Sequence, residues 1–90
     1  MRVSGDEVRQ MLRAGAQLVD VRAGYEFQED GIEGAMNIPL PMLVKYVALL
    51  DRSKAVIVYC RSGSRSAKAL NMLKAAGFVK VYDLGARVNY

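Results

Sequence analysis

The chain is expected to fold as an open α/β sandwich, a parallel sheet flanked by helices on both faces. Three observations lead there. The run Ala55-Val56-Ile57-Val58-Tyr59 is apolar without alternation, the pattern of a strand covered on both sides, as in a parallel sheet. Segments with apolar residues at helical spacing alternate with short strand-like runs, which is the signature of α/β architecture. Ninety residues make one domain, residues 1–90, with no room for a second.

Taken in order, Ser4-Gly5-Asp6-Glu7 fits a capping box, with Ser4 as cap and Glu7 reaching back. Val8, Met11 and Leu12 follow at helical spacing, and Gly15 stops the helix. Leu18-Val19-Asp20-Val21 reads as a short buried strand with Arg22 at its end. Residues 23–34 are polar and carry Gly24, Gly31 and Gly34, so a helical turn over Tyr25–Glu29 and then a loop are expected. Ala35–Pro39 reads as a brief strand closed by proline. A helix is expected from Pro41 to Leu50, because proline suits a first turn and Met42, Leu43, Tyr46, Val47 and Leu50 share a face. Asp51–Lys54 connects to the central strand, Ala55–Tyr59. Ser66, Ala69, Leu70, Leu73 and Ala76 form the next helical stripe, stopped by Gly77. Val79-Lys80-Val81-Tyr82 alternates and should be a strand, leaving Asp83–Tyr90 as loop with a frayed turn.

Composition narrows the chemistry. An apolar fraction of 52% with 24% charged residues describes a globular protein and not a disordered one. No apolar run approaches a membrane span, and residues 1–6 lack the apolar centre of a secretory signal. A cytoplasmic location and no membrane partner are therefore expected. The net charge of +4 is too mild for a nucleic-acid footprint, so no nucleic-acid partner is expected either. With one cysteine there is no internal disulfide, CxxC pair or cysteine zinc site; with no histidine there is no imidazole base or ligand. No cofactor and no metal are expected.

Those absences focus attention on the lone cysteine. Cys60 follows the apolar run and precedes Arg61-Ser62-Gly63-Ser64-Arg65, after which helical spacing begins. A helix N-terminus presents unpaired N–H groups and partial positive charge, so it holds anions and favours a thiolate. Small residues at 62–64 let successive N–H groups converge as an anion nest, and Gly63 permits a positive φ. Arg61 and Arg65 can add charge-assisted bonds. Taken alone, a single cysteine is more often an inert core residue; its place between an apolar strand and a Ser/Gly/Arg loop argues for a nucleophile. Arg22 and Cys60 both end strands and are expected at the same sheet edge, where open α/β sheets bind ligands. Asp20 is read as a structural acceptor for backbone or for Arg22, Glu26 and Glu33 as surface carboxylates, and Tyr25, Tyr46 and Tyr90 as packing residues.

Leu18-Val19-Asp20-Val21-Arg22, Tyr25-Glu26-Phe27, Gly34–Leu40 and Val58–Ala67, followed by Gly77-Phe78 and Val81-Tyr82, together resemble a single-domain rhodanese. The order and spacing of these fragments, from about Leu18 to Leu84, carry the resemblance. It implies a rhodanese-like parallel sheet and thiosulfate-type sulfurtransferase chemistry. In that scheme the Cys60 thiolate takes a sulfur from a small anionic donor and becomes a persulfide. Cyanide, a small thiol or a protein thiol then removes it. Arg61 and Arg65 would assist anionic donors, and Arg22 would order the pocket. The chain departs from the family at Asp30-Gly31-Ile32, where a histidine is usual, and in its ending, Leu84–Tyr90. Two rival readings remain. A binding module that carries sulfur would share the loop. A cysteine-dependent phosphatase or arsenate reductase would place arginine after five intervening residues, whereas Arg65 follows Cys60 after four. The shorter loop suits sulfur better than a phosphoryl group.

Overall fold

A computed structural model describes residues 1–90. Helix α1 spans Gly5–Arg13, strand β1 Gln17–Asp20, helix α2 Gly24–Asp30 and strand β2 Met36–Asn37. A short α-helix, α3 (Leu43–Tyr46), is flanked by 3₁₀ turns at Leu40–Met42 and Val47–Leu49. Strand β3 (Val56–Cys60), helix α4 (Ser64–Ala75) and strand β4 (Val81–Ala86) follow, and a 3₁₀ turn at Arg87–Asn89 ends the chain. The four strands are all parallel, in the order β2-β1-β3-β4.

Alternation along the strands builds a core on each face. Leu18, Ile57 and Tyr59 face α1, where they pack with Val8, Ile32 and Leu84. Val19, Val56, Val58 and Cys60 face the other side, against Leu43, Ala69 and Leu73 of α3 and α4. β3 is buried along its whole length, which is why its sequence shows no polar alternation. The strand order reverses between β1 and β3, so a crevice opens beyond the carboxyl ends of those two strands.

Local sequence explains most boundaries. The Ser4–Glu7 capping box is formed, with Glu7 N–H donating to Ser4 Oγ at 3.1 Å and Ser4 N–H to Glu7 Oε1 at 2.8 Å. The stretch 41–50 is not the single helix its apolar spacing predicts. It has no side-chain cap at any break, and the β-branched Val44 and Val47 disfavour a long run. Leu43 and Leu50 still reach the core, whereas Met42 and Tyr46 stay partly exposed. Tyr25 is also exposed and does not pack as expected.

The last strand starts two residues later than the alternation at 79–82 suggests. Phe78 N–H donates to Leu73 O and Gly77 N–H to Lys74 O, each at 3.0 Å. These bonds form a Schellman closure around Gly77, whose φ is +95°. That closure absorbs Phe78 and leaves Val79 87% exposed. β4 then runs on through residues expected to be loop. A bulge after Val58↔Asp83 shifts the register so that Tyr59 pairs with Gly85 and Cys60 with Ala86. The tail is docked and not frayed: Asn89 Nδ2 donates to Leu84 O at 3.0 Å, and the Tyr90 ring lies 4.1 Å under the Arg9 guanidinium.

Candidate active site

The site is assembled from the carboxyl ends of β1, β3 and β4. Cys60 is the last residue of β3, and its turn into α4 is made by Gly63 in the left-handed region at φ +100°. The thiol sulfur accepts the Gly63 N–H at 3.0 Å and the Ser66 N–H at 3.3 Å. Burial pushes the Cys60 pKa up. The opposing hydrogen bonds from Ser66, Gly63 and the Arg65 backbone outweigh it, and the net shift is downward. The thiolate is thus favoured by backbone dipoles without any base.

The nest differs in detail from the one expected at 62–64. Its donors are the N–H groups of Gly63, Arg65 and Ser66, while Ser62 and Ser64 are exposed on the outside of the loop. Ser66 is a site residue that sequence reading assigned to the helix stripe alone. It is fully buried, and its hydroxyl donates to Gly63 O at 3.1 Å, closing the loop. Its small size next to a glycine turn was the available signal. Cys60 has 0% exposure, so its sulfur is covered by the loop.

Gly63 is held at a φ that an L side chain rarely adopts, although the space beside it is open, with Gly85 Cα 3.8 Å from an added Cβ. Gly63→Ala is expected to cost about 1–3 kcal/mol of stability from backbone strain. It should also raise the Cys60 pKa, because the Gly63 N–H would turn away from the sulfur. Urea unfolding and the pH dependence of alkylation by iodoacetamide measure the two effects.

Glu26 corrects the expectation of a surface carboxylate. It is 3% exposed and sits in the first turn of α2, where Oε1 accepts the Ala23 N–H at 3.0 Å. Arg65 holds it bidentately, at 2.7 and 3.1 Å, and Arg61 Nε approaches Oε2 at 3.1 Å. The two loop arginines are therefore neutralised in part and fixed in place, and do not project freely at an anion. The Arg65 bonds, supported by Ala23 and Arg61 and opposed by burial, pull the Glu26 pKa down to about 2. Because the folded value lies below the unfolded one, this contribution to stability is complete above the ordinary carboxylate pKa. It is lost as pH falls towards 2. The shift corresponds to about 3 kcal/mol, of which about 2 kcal/mol should disappear between pH 7 and pH 3. Glu26→Gln should lower stability at pH 7 and flatten this acid dependence, as read from urea midpoints at the two pH values.

Arg22 and Cys60 do meet at one edge, since Val21 N–H donates to Tyr59 O at 3.0 Å. Arg22 is 1% exposed. Its Nε and Nη2 bond both Asp20 oxygens at 2.9–3.1 Å, and Nη1 bonds Asp30 Oδ1 at 2.8 Å. The hydrogen bonds to Asp20 lead in raising the Arg22 pKa against the effect of burial. Asp20 is structural as expected, for it also accepts the Arg22 N–H at 2.8 Å. Asn37 Nδ2 ties Asp20 O and Arg22 O together at 3.0 Å each, fixing the turn after β1. The Arg22 guanidinium lies 5.6 Å from the centroid of the Tyr59 ring. The hydroxyl of Tyr59 in turn accepts the Ile32 N–H at 3.0 Å.

Beside the loop lies an open pocket of about 370 Å³, lined by Arg22, Asp30, Arg61, Arg87 and Val88. The carboxyl edge of the sheet thus presents a thiol in a cradle of N–H groups, with arginines around it and no imidazole.

A parallel sheet in this order, with a cysteine loop at the strand switch point, fits a rhodanese-type α/β domain. The chain belongs to the rhodanese-like domain family, whose model matches residues 4–86. It is 40% identical over 75 residues to the uncharacterized protein YqhL of Bacillus subtilis (strain 168), covering 80% of this chain and 60% of that protein. Against the thiosulfate sulfurtransferase PspE of Escherichia coli (strain K12) the identity is 32% over 74 residues, covering 80% of this chain and 71% of that one. The structure of a human single-domain sulfurtransferase superposes with a TM-score of 0.84 at 27% identity, covering 98% of this chain and 92% of the human one.

Proposed function

We propose that the chain is a thiosulfate-type sulfurtransferase working through a persulfide on Cys60. The observation that carries this reading is the sulfur of Cys60, held by the Gly63 and Ser66 N–H groups at the start of α4. These donors suit a negative sulfur at two stages, first the thiolate and then the persulfide. In the first half-reaction the Cys60 thiolate attacks the outer sulfur of thiosulfate. A bond forms between Sγ and that sulfur, the sulfur–sulfonate bond breaks, and sulfite leaves with the bonding pair. In the second, cyanide or a thiolate attacks the terminal sulfur, and the Cys60 thiolate is the leaving group. Arg61 and Arg65 supply a positive field to the donor, and the Arg22 network keeps the β1 turn rigid beside the loop. Ser62 and Ser64 form the outer lip. A reducing compartment such as the cytoplasm suits a lone free thiol used this way.

The family name of PspE supports the donor class, and the loop geometry argues against the phosphatase reading. The end-on fork of Arg65 is spent on Glu26, and Arg65 follows Cys60 after only four residues, a loop shorter than a phosphoryl group suits. Turnover of thiosulfate and cyanide to thiocyanate and sulfite tests the proposal. Cys60-dependent thiocyanate formation supports it. Cys60-dependent release of phosphate from an aryl phosphate, without thiocyanate, would replace it with the phosphatase reading.

A further inference from the structure

A pocket of about 370 Å³ opens beside the loop, and its chemistry points to the second substrate. Cys60 pairs with Ala86 at the ends of adjacent strands, so Arg61 and Arg87 are the first residues beyond β3 and β4. Adjacent strands lie about 4.8 Å apart, so two of the three arginines of the pocket wall, Arg61 and Arg87, directly follow Cys60 and its cross-strand neighbour. Their charges are unequally used. Arg22 is bonded to Asp20 and Asp30, and Arg61 shares Glu26 with Arg65. Arg87 has no carboxylate partner. Its Nε donates to Asp30 O at 2.7 Å, which anchors the half-buried guanidinium and leaves both terminal nitrogens without a protein acceptor. Asp30, the carboxylate of the wall, is already held by Arg22 at 2.8 Å. Four arginines and three carboxylates make up this network, and the unmatched cation faces the pocket.

We infer that Arg87, with Arg61 beside it, binds the carboxylate of a small thiol that accepts sulfur from Cys60. This rests on the sulfurtransferase reading. Once the persulfide forms, its terminal sulfur fills the cradle over Cys60, so an acceptor must approach from outside the loop with its remaining atoms beside it. The pocket is of the size of sites for small organic ligands, roughly 300–1,000 Å³, and far larger than cyanide requires. An anchored guanidinium with two free terminal nitrogens matches a planar carboxylate bidentately. In the transfer the acceptor thiolate attacks the terminal sulfur of the Cys60 persulfide. The new bond joins acceptor sulfur to terminal sulfur, the bond to Sγ breaks, and Cys60 leaves as thiolate with the electron pair. The acceptor departs as its own persulfide anion, the terminal sulfur keeping the negative charge it bore on Cys60.

The test loads the whole chain with thiosulfate, removes the donor, and follows discharge of the persulfide by intact mass. The acceptors are 3-mercaptopropionate and 2-mercaptoethanol at equal thiolate concentrations. The ratio of the two rates is the readout, since the neutral thiol corrects for any loss of folded protein. The carboxylate thiol should be faster by about tenfold, the worth of one good charge-assisted fork. The ratio should fall to about one in Arg87→Gln, be retained in part in Arg87→Lys, and drop below one in Arg87→Glu. A ratio near one in the unaltered chain, or one that Arg87→Gln does not change, overturns the assignment. Failure of any persulfide to load would instead remove the sulfurtransferase reading, and this assignment with it.

Discussion

Cys60→Ser is expected to abolish thiocyanate formation, lowering turnover by on the order of 10³- to 10⁶-fold, as loss of a covalent nucleophile does. No side chain nearby could substitute. The chain has no second cysteine and no histidine, and the groups on the sulfur are N–H donors that cannot accept its proton. A serine hydroxyl in the same cradle stays protonated, because the dipoles that lower a thiol pKa cannot bring an alcohol into range. The fold should tolerate the change, since the hydroxyl can accept the same two N–H groups. A stability loss below about 1.5 kcal/mol is expected, in line with conservative substitutions that keep their partners. Thiocyanate assays and urea unfolding of the same preparation separate the two effects.

Arg22→Ala should have the largest effect on stability. It removes both side-chain partners from the Asp20 carboxylate, which is fully buried, and frees Asp30 and the end of α2. Removing one member of a buried pair costs about 3–5 kcal/mol, a large part of the roughly 5–15 kcal/mol that holds a domain together. For a chain of this size each kcal/mol is worth about 4–8 °C, so the melting temperature should fall by at least about 12 °C. Arg22→Lys should recover little, because one ammonium cannot bond both Asp20 oxygens and Asp30 together. Thermal melts of the two variants measure this.

The parts of this fold written in periodicity were legible. The apolar run 55–59 announced the central strand. The Ser4–Glu7 box marked the first helix, and Gly63 and Gly77 marked the turns at either end of the fourth. What could not be read was set by tertiary partners. Glu26 has the surroundings of a surface residue in sequence, flanked by Tyr25 and Phe27, Gln28 and Glu29. Its burial follows from arginines 35 and 39 positions away. β4 was cut short for a similar reason. Beyond Tyr82 it carries Asp83 and Gly85, poor strand formers, but Asp83 Oδ1 accepts the Gly85 N–H at 2.8 Å and stabilises a bulge that sequence pattern does not show. Within the loop, the small residues marked an anion site. Which N–H groups converge was decided by the helix entry at Gly63, which turns Ser66 inward and Ser62 and Ser64 outward.

The most direct measurement is the intact mass of the chain after brief exposure to thiosulfate, before and after cyanide. The account predicts a gain of one sulfur atom, located on Cys60 by peptide mapping, absent from Cys60→Ser and lost on adding cyanide. A chain that keeps its original mass, or gains sulfur independently of Cys60, would contradict it.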